Sequence, residues 1–159
     1  MQSKSTRAVG ALAFALSLTA AAPAKPPKPS AAVIPLPLKQ IIPAGQRLCT
    51  LKTASGLGYM PLRPAGGAKA SADDAVEVNY LGYLAANGEV FDQGAAAGFP
   101  VSGVIKGFAE GLQLMPTGSI YRLCIPAVLG YADKETGPIP ANSALVFQVE
   151  LLRVVPAGQ

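Results

Sequence analysis

The sequence predicts an α+β fold: a twisted, antiparallel half-barrel sheet of about five strands wrapped on one short helix. Three observations lead there. Apolar residues alternate with polar ones in Val76–Leu84, Ser119–Ile125 and Ala144–Val154, the two-residue period of strands that bury one face. Only Gly103–Gly118 carries apolar residues at helical spacing, with Phe108, Leu112 and Met115 at i, i+4 and i+7. The chain has no internal repeat, so one sheet must use one helix as its cover.

The N-terminal end precedes that fold. Lys4 and Arg7 stand before an apolar run of thirteen residues, Ala8–Ala20. A spanning helix needs about 20, whereas a signal h-region is this short and is followed by small residues. Residues 1–24 are therefore read as a signal peptide, cleaved between Ala21 and Ala24, with an uncleaved anchor as the alternative. No cysteine closely follows the run, which argues against a lipoprotein. Processing would leave no stable membrane insertion and a periplasmic or secreted protein. Pro23–Gly45 holds seven prolines, which favour extended backbone and exclude a long helix. Residues 25–45 are accordingly expected to be a tether, and 46–155 the folded domain.

Within 46–155 the first strand is irregular, around Leu57–Leu62, with another piece near Leu48–Leu51. Val76, Val78 and Tyr80 then share one face, against Glu77 and Asn79 on the other. Asn87-Gly88 is the signature of a tight hairpin turn, returning the chain as a strand over Val90–Gln93. Gly98–Ser102 is a short extended piece before the helix. Pro116 and Gly118 stop the helix. Its opening pair, Val104 and Ile105, is unusual, because β-branched residues lose rotamer freedom in a helix and supply no cap. Either the first turn merely happens to be apolar, or the helix start presents free N–H groups and apolar side chains to a ligand. Tyr121, Leu123 and Ile125 share one face of the next strand. Leu145, Phe147, Val149 and Leu151 share one face of the last.

Composition excludes several functions. Of thirteen lysines and arginines, four (Lys4, Arg7, Lys25, Lys28) lie in the first thirty residues, leaving nine to balance the nine acids. The domain is thus neutral, without the basic stripe that nucleic acid requires. The chain has no histidine, which removes the commonest general base and metal ligand. Cys49 and Cys124 lack the paired spacing of a zinc site, so no metal is expected. Export makes a Cys49–Cys124 bridge one arrangement and two separate thiols the other, since Cys124 falls on the outward face of its strand. Ser55–Gly58 lacks the ending of a phosphate-cradling loop.

The ordered set VEVNYLGYL, NGEVFDQG, GFPVSGVIKGFAEGLQLMPTG, YRLCIP, GYAD and GPIPANSALVFQVELL resembles the FKBP family of peptidyl-prolyl cis–trans isomerases, from about Gly56 to Val154. The resemblance implies an isomerase (rotamase) that accelerates X-Pro bond rotation during folding of exported proteins, with no cofactor. It implies a pocket with Phe108 as floor and Tyr80, Phe91 and Phe147 as aromatic walls. Ile105 N–H would donate to a substrate carbonyl, Tyr131 would donate through its hydroxyl, and Asp92 would stand at the edge. Phe99, Val101, Val104 and Ile139 would add apolar substrate contacts. Partners would be proline-containing polypeptides and, as the family's inhibitor class, macrolides. A monomer is expected, because the proline-rich arm is too short to form the long helical arm that joins dimeric secreted members. Three departures bear on preference: Phe108 where tryptophan is common, a segment after Tyr131 one residue shorter with Pro138 beside Ile139, and GYA in place of AYG. The alternative function is a peptide-binding chaperone domain with little turnover.

Overall fold

In a computed structural model, which describes residues 25–34 and 41–158, six strands form one antiparallel sheet. The strands are β1 (Leu51–Lys52), β2 (Gly58–Arg63), β3 (Ala75–Leu84), β4 (Val90–Pro100), β5 (Ile120–Ile125) and β6 (Leu145–Val155), in the order β1-β2-β5-β6-β3-β4. The single α-helix, α1, is Lys106–Leu114. The signal-peptide reading lies in residues 1–24, outside the described residues. No helix among the described residues is long and apolar enough to cross a membrane.

The inward face of the sheet follows from alternation. Val76 and Val78 of β3, Leu123 and Ile125 of β5, and Leu145, Val149 and Leu151 of β6 are all but fully buried, together with Leu112 and Met115 beside them. Helix α1 comes close to β5 because its facing positions are glycines. A Cβ on Gly107 would lie 2.6 Å from Ile125 Cγ2, and one on Gly111 would run into the Leu123 side chain. Either substitution forces helix and sheet apart.

Strand β4 differs from the expected pieces. It runs unbroken from Val90 to Pro100, so the gap between Gln93 and Gly98 is filled. The pairing moves from Val78↔Ala97 to Tyr80↔Gly94, so β4 spends three residues where β3 spends two. This is a β-bulge, with Ala96 at φ +48°. The Asn79 side-chain oxygen accepts from Ala96 N–H at 2.9 Å and holds it. Alternation fails across such an insertion, which hides the strand from the sequence pattern.

The outward face gives a larger correction. Residues 25–45, expected to be a tether, are in their described parts a strap packed on the sheet. Ile34 and Ile42 are buried with Leu81, Tyr83 and Val146 in a second apolar cluster. The Gln148 side chain pairs with the Ile34 backbone, accepting its N–H at 2.8 Å and donating to its carbonyl at 3.0 Å. Tyr83 donates to the Gln46 carbonyl at 2.6 Å. Arg122 is fully buried here with no acid beside it. Its guanidinium donates instead to the carbonyls of Ser30 (2.7 Å), Leu48 (3.1 Å) and Ala32 (3.4 Å). The reason for the docking is that an antiparallel sheet can leave one face to water only if that face is polar. Leu81, Tyr83 and Val146 are not. Residue 45 is therefore no structural boundary.

The Cys49–Cys124 disulfide, with its Cα atoms 6.1 Å apart, fastens the chain just after the strap to β5. It closes a sequence separation of 75 residues, a loop whose constraint on the unfolded chain is about 4.5 kcal/mol in the loop-entropy account.

Candidate active site

Five aromatic rings converge on one side of the half-barrel. Phe108 projects from the first turns of α1 and is the hub. Its ring centroid lies 4.9 Å from Phe147 (β6), 6.4 Å from Tyr80 (β3) and 6.4 Å from Phe99 (β4), all edge to face. Phe91 (β4) meets Phe147 at 5.5 Å and 81°. Such crossed geometries suit the ring quadrupoles, and the five rings line an open cavity of about 500 Å³. The cavity's rim comes from loops: Gly103 to Ile105 on one side, Tyr131 and the Thr136–Ile139 turn on the other.

The odd Val-Ile pair has a structural answer. Both residues are extended and precede the helix, which begins at Lys106, so their β-branching carries no helical cost. The Ile105 carbonyl accepts from Phe108 N–H and Ala109 N–H, each at 3.0 Å. Its own N–H has no acceptor among the described residues. A free donor of this kind is what a helix entry leaves over, and here it sits on the cavity wall.

Electrostatically the cavity is nearly bare. Asp92 is its one charged lining residue. It accepts from the Tyr80 hydroxyl at 2.8 Å and from Gln93 N–H at 2.9 Å. Burial, and then the hydrogen bond to Asp92, push the Tyr80 phenol up to about 12. No three metal-ligating side chains cluster among the described residues. The arrangement can hold an apolar ring and hydrogen-bond a carbonyl. Its hydrogen-bonded titratable pair among the described residues is Tyr80 and Asp92, 2.8 Å apart.

A profile of the FKBP-type peptidyl-prolyl cis-trans isomerases matches residues 66–152, more than half of the chain, and covers all these lining elements. The chain belongs to that family. It is 45% identical over 106 residues to the FKBP-type isomerase FkpA of Aeromonas hydrophila, covering 64% of this chain and 39% of that protein. It is 44% identical over 108 residues to the 22 kDa FKBP-type isomerase of Escherichia coli, covering 65% and 52%. This FKBP-type chain thus spans about half the length, or less, of those curated relatives. Among solved structures, FkpA from Escherichia coli superposes with a TM-score of 0.64 at 39% identity, covering 67% of this chain and 52% of that one. The isomerase from Pseudomonas syringae gives 0.64 at 37%, covering 67% and 80%.

Of the eleven residues the sequence nominated, the FKBP-type fold brings ten to the cavity: Tyr80, Phe91, Asp92, Phe99, Val104, Ile105, Phe108, Tyr131, Ile139 and Phe147. Val101 is the exception. It lies in the turn after β4 with no exposure, packed in the core rather than on the wall. The family resemblance implied a substrate contact here, but the strand ends at Pro100 and the chain turns inward.

Some contributors were missed. Gly103, Thr136, Gly137 and Pro138 also line the cavity. Thr136 and Ile139 exchange both backbone hydrogen bonds at 3.0 Å, which makes a tight turn over Gly137-Pro138. That dipeptide is a turn signal in its own right. Gly82 acts from beneath: a Cβ there would lie 2.7 Å from both Phe91 Cε2 and Phe147 Cε1. A glycine within a strand marks such close approach, and here what approaches is the pair of rings.

Proposed function

We propose that this protein is a peptidyl-prolyl cis–trans isomerase acting on proline-containing segments of exported polypeptides. The observation that carries it is the convergence of Phe91, Phe108, Phe147 and Tyr80 on a cavity beside the unpaired Ile105 N–H. An X-Pro bond rotates over a barrier of roughly 18–20 kcal/mol because the twist breaks amide resonance. Unaided exchange takes tens to hundreds of seconds, on the order of a slow folding step. The planar amide is the more dipolar state. An apolar, water-poor cavity therefore disfavours it relative to the twisted one. The rings would hold the pyrrolidine, Ile105 N–H would fix one substrate carbonyl, and the Tyr131 hydroxyl another. An acceleration of about 10⁶-fold corresponds to about 8 kcal/mol, to be supplied by binding the twisted amide more tightly than the planar one.

Export is supported by Lys4, Arg7 and the apolar run after them, and by the Cys49–Cys124 disulfide, a bond that persists in oxidising compartments. The aromatic cavity also supports macrolide inhibitors as competing ligands, and the chain is proposed to work as a monomer. The deciding experiment is a protease-free isomerisation assay on a short Ala-Pro or Leu-Pro peptide, with the sample's mass fixed by light scattering. Catalysed exchange by a species of one chain's mass is expected. Suppression of aggregation without catalysed exchange would assign the cavity to peptide binding alone, and twice the chain mass would refute the monomer.

The same proposal predicts the pH profile. The chain has no histidine, and ordinary carboxyls and phenols titrate at about 4 and 10. Tyr80 is raised to about 12, so the fold favours its neutral form. That contribution is complete below about pH 10 and is lost only as the pH climbs toward 12. The expected result is a kcat/KM constant within about two-fold from pH 6 to 8.5. A bell centred near neutrality would indicate proton transfer.

A further inference from the structure

Phe91 and Pro138 have a second side. Beyond them lies another cavity, of about 280 Å³, lined by Ile41, Leu84, Glu89, Val90 and the far faces of Phe91 and Pro138. The two cavities share those two residues as a common wall. Ile41 belongs to the N-terminal strap. It bridges to Glu89 across the hairpin tip, and Ile42 N–H donates to the Gly88 carbonyl at 2.8 Å. Fixed there, Ile41 remains 58% exposed, an apolar side chain left beside a groove. Glu89 is held as well: Asn87 donates from its side-chain amide to the Glu89 carboxylate at 2.8 Å and accepts from Glu89 N–H at 3.0 Å.

The charges in the two cavities have one sign. Among the described residues, Glu89 is the charged residue of the second and Asp92 that of the first, and no lysine or arginine lines either. A long basic side chain has both required parts, an aliphatic stem and a cationic head.

We propose that the second cavity is a substrate subsite for a lysine or arginine near the X-Pro pair, its stem on Ile41, Val90 and Pro138 and its cation at Glu89. This rests on the isomerase reading above. It makes the strap part of the specificity machinery, through Ile41. Because the cavities share Phe91 and Pro138, a polypeptide seated in the first and leaving past either residue would run by the second.

The test compares a short Ala-Pro tetrapeptide with longer peptides carrying lysine, leucine or glutamate at each of three positions on either side of that pair. At one flanking position lysine should raise kcat/KM about two- to five-fold over glutamate, mainly through KM, the upper part of the range expected of an exposed ion pair. Glu89→Gln should abolish that preference. Ile41→Ala should lower turnover of the lysine peptide while leaving the tetrapeptide unchanged. Equal rates for lysine and glutamate at every position would overturn the subsite, as would a preference that survives Glu89→Gln, or leucine favoured over lysine. Absence of catalysis on the tetrapeptide would refute the isomerase reading itself, so the two failures are distinguishable.

Discussion

Phe91→Ala should lower kcat/KM by about 10- to 100-fold, or about 1.4–2.8 kcal/mol of transition-state stabilisation, while Asp92→Asn should cost less than about five-fold. The ring of Phe91 stands edge-on to Phe147, 5.5 Å away, and forms cavity wall on its open side. Its removal would delete the apolar contact proposed for the proline, admit water and free Phe147 to tilt. Burying a phenylalanine contributes about 1.5–3 kcal/mol, consistent with the predicted loss. Tyr131→Ala should fall in the same range, since it removes both a wall and a hydroxyl donor. Asparagine at position 92 keeps an oxygen for Tyr80 or Gln93, so the Tyr80 ring stays in place. Kinetics on one peptide, with thermal melting to confirm folding, decide the order. A loss from Asp92→Asn exceeding that from Phe91→Ala would make the acid the driver and end the dry-pocket account.

The second large effect concerns stability rather than rate. Arg122→Met should cost about 2–3 kcal/mol, with a Tm lower by roughly 6–12 °C. Two terms compete. Methionine removes a guanidinium whose burial is itself costly, and burial indeed pushes Arg122 below its ordinary pKa. Against that, the carbonyls of Ser30, Ala32 and Leu48 lose their donor at once. The second term wins because three part-buried acceptors lose their donor together, each bond worth about 1 kcal/mol. Ser30 and Ala32 also lose the side chain that ties their backbone to β5, which loosens the strap. Limited proteolysis between residues 25 and 45 should therefore accelerate, while kcat/KM on a tetrapeptide changes less than two-fold, because the aromatic cavity lies across the sheet. An unchanged Tm with an unchanged cleavage rate would refute the anchoring role.

Period and spacing made most of this structure legible. The alternation in Val76–Leu84 and Ala144–Val154 placed the central strands, and Phe108, Leu112 and Met115 placed the helix, because both elements bury a single face at a regular period. The strap was misread for a related reason. Proline content speaks to backbone conformation, not to whether an extended segment is docked. The counter-signal was in Leu81 to Leu84, where the alternation stops and all four residues are buried; a strand with two apolar faces needs two covers. The bulge at Ala96 hid the middle of β4, and Val101 went to the core because the chain turns after Pro100. Most of the aromatic site residues sit on regular elements, so they could be placed. The rim at Thr136–Ile139 depends on turn geometry, which alternation does not encode. Gly82 was unreadable for another reason: its role lies in the rings above it, supplied by strands on either side.

The sheet order sets when this chain can begin to be a protein. Strand β6, Leu145–Val155, comes after the other five strands in chain order, yet it is the seam that joins β5 to β3 and closes the two halves of the sheet. Until it emerges, β1, β2 and β5 on one side and the β3–β4 hairpin on the other have no common partner, and the strap has no Gln148 to grip, 114 residues away. Every growing chain short of Leu145 is thus left without the middle of its sheet. Lateness of that kind makes closure of the sheet a single event: its two halves gain a shared neighbour only when β6 is in place.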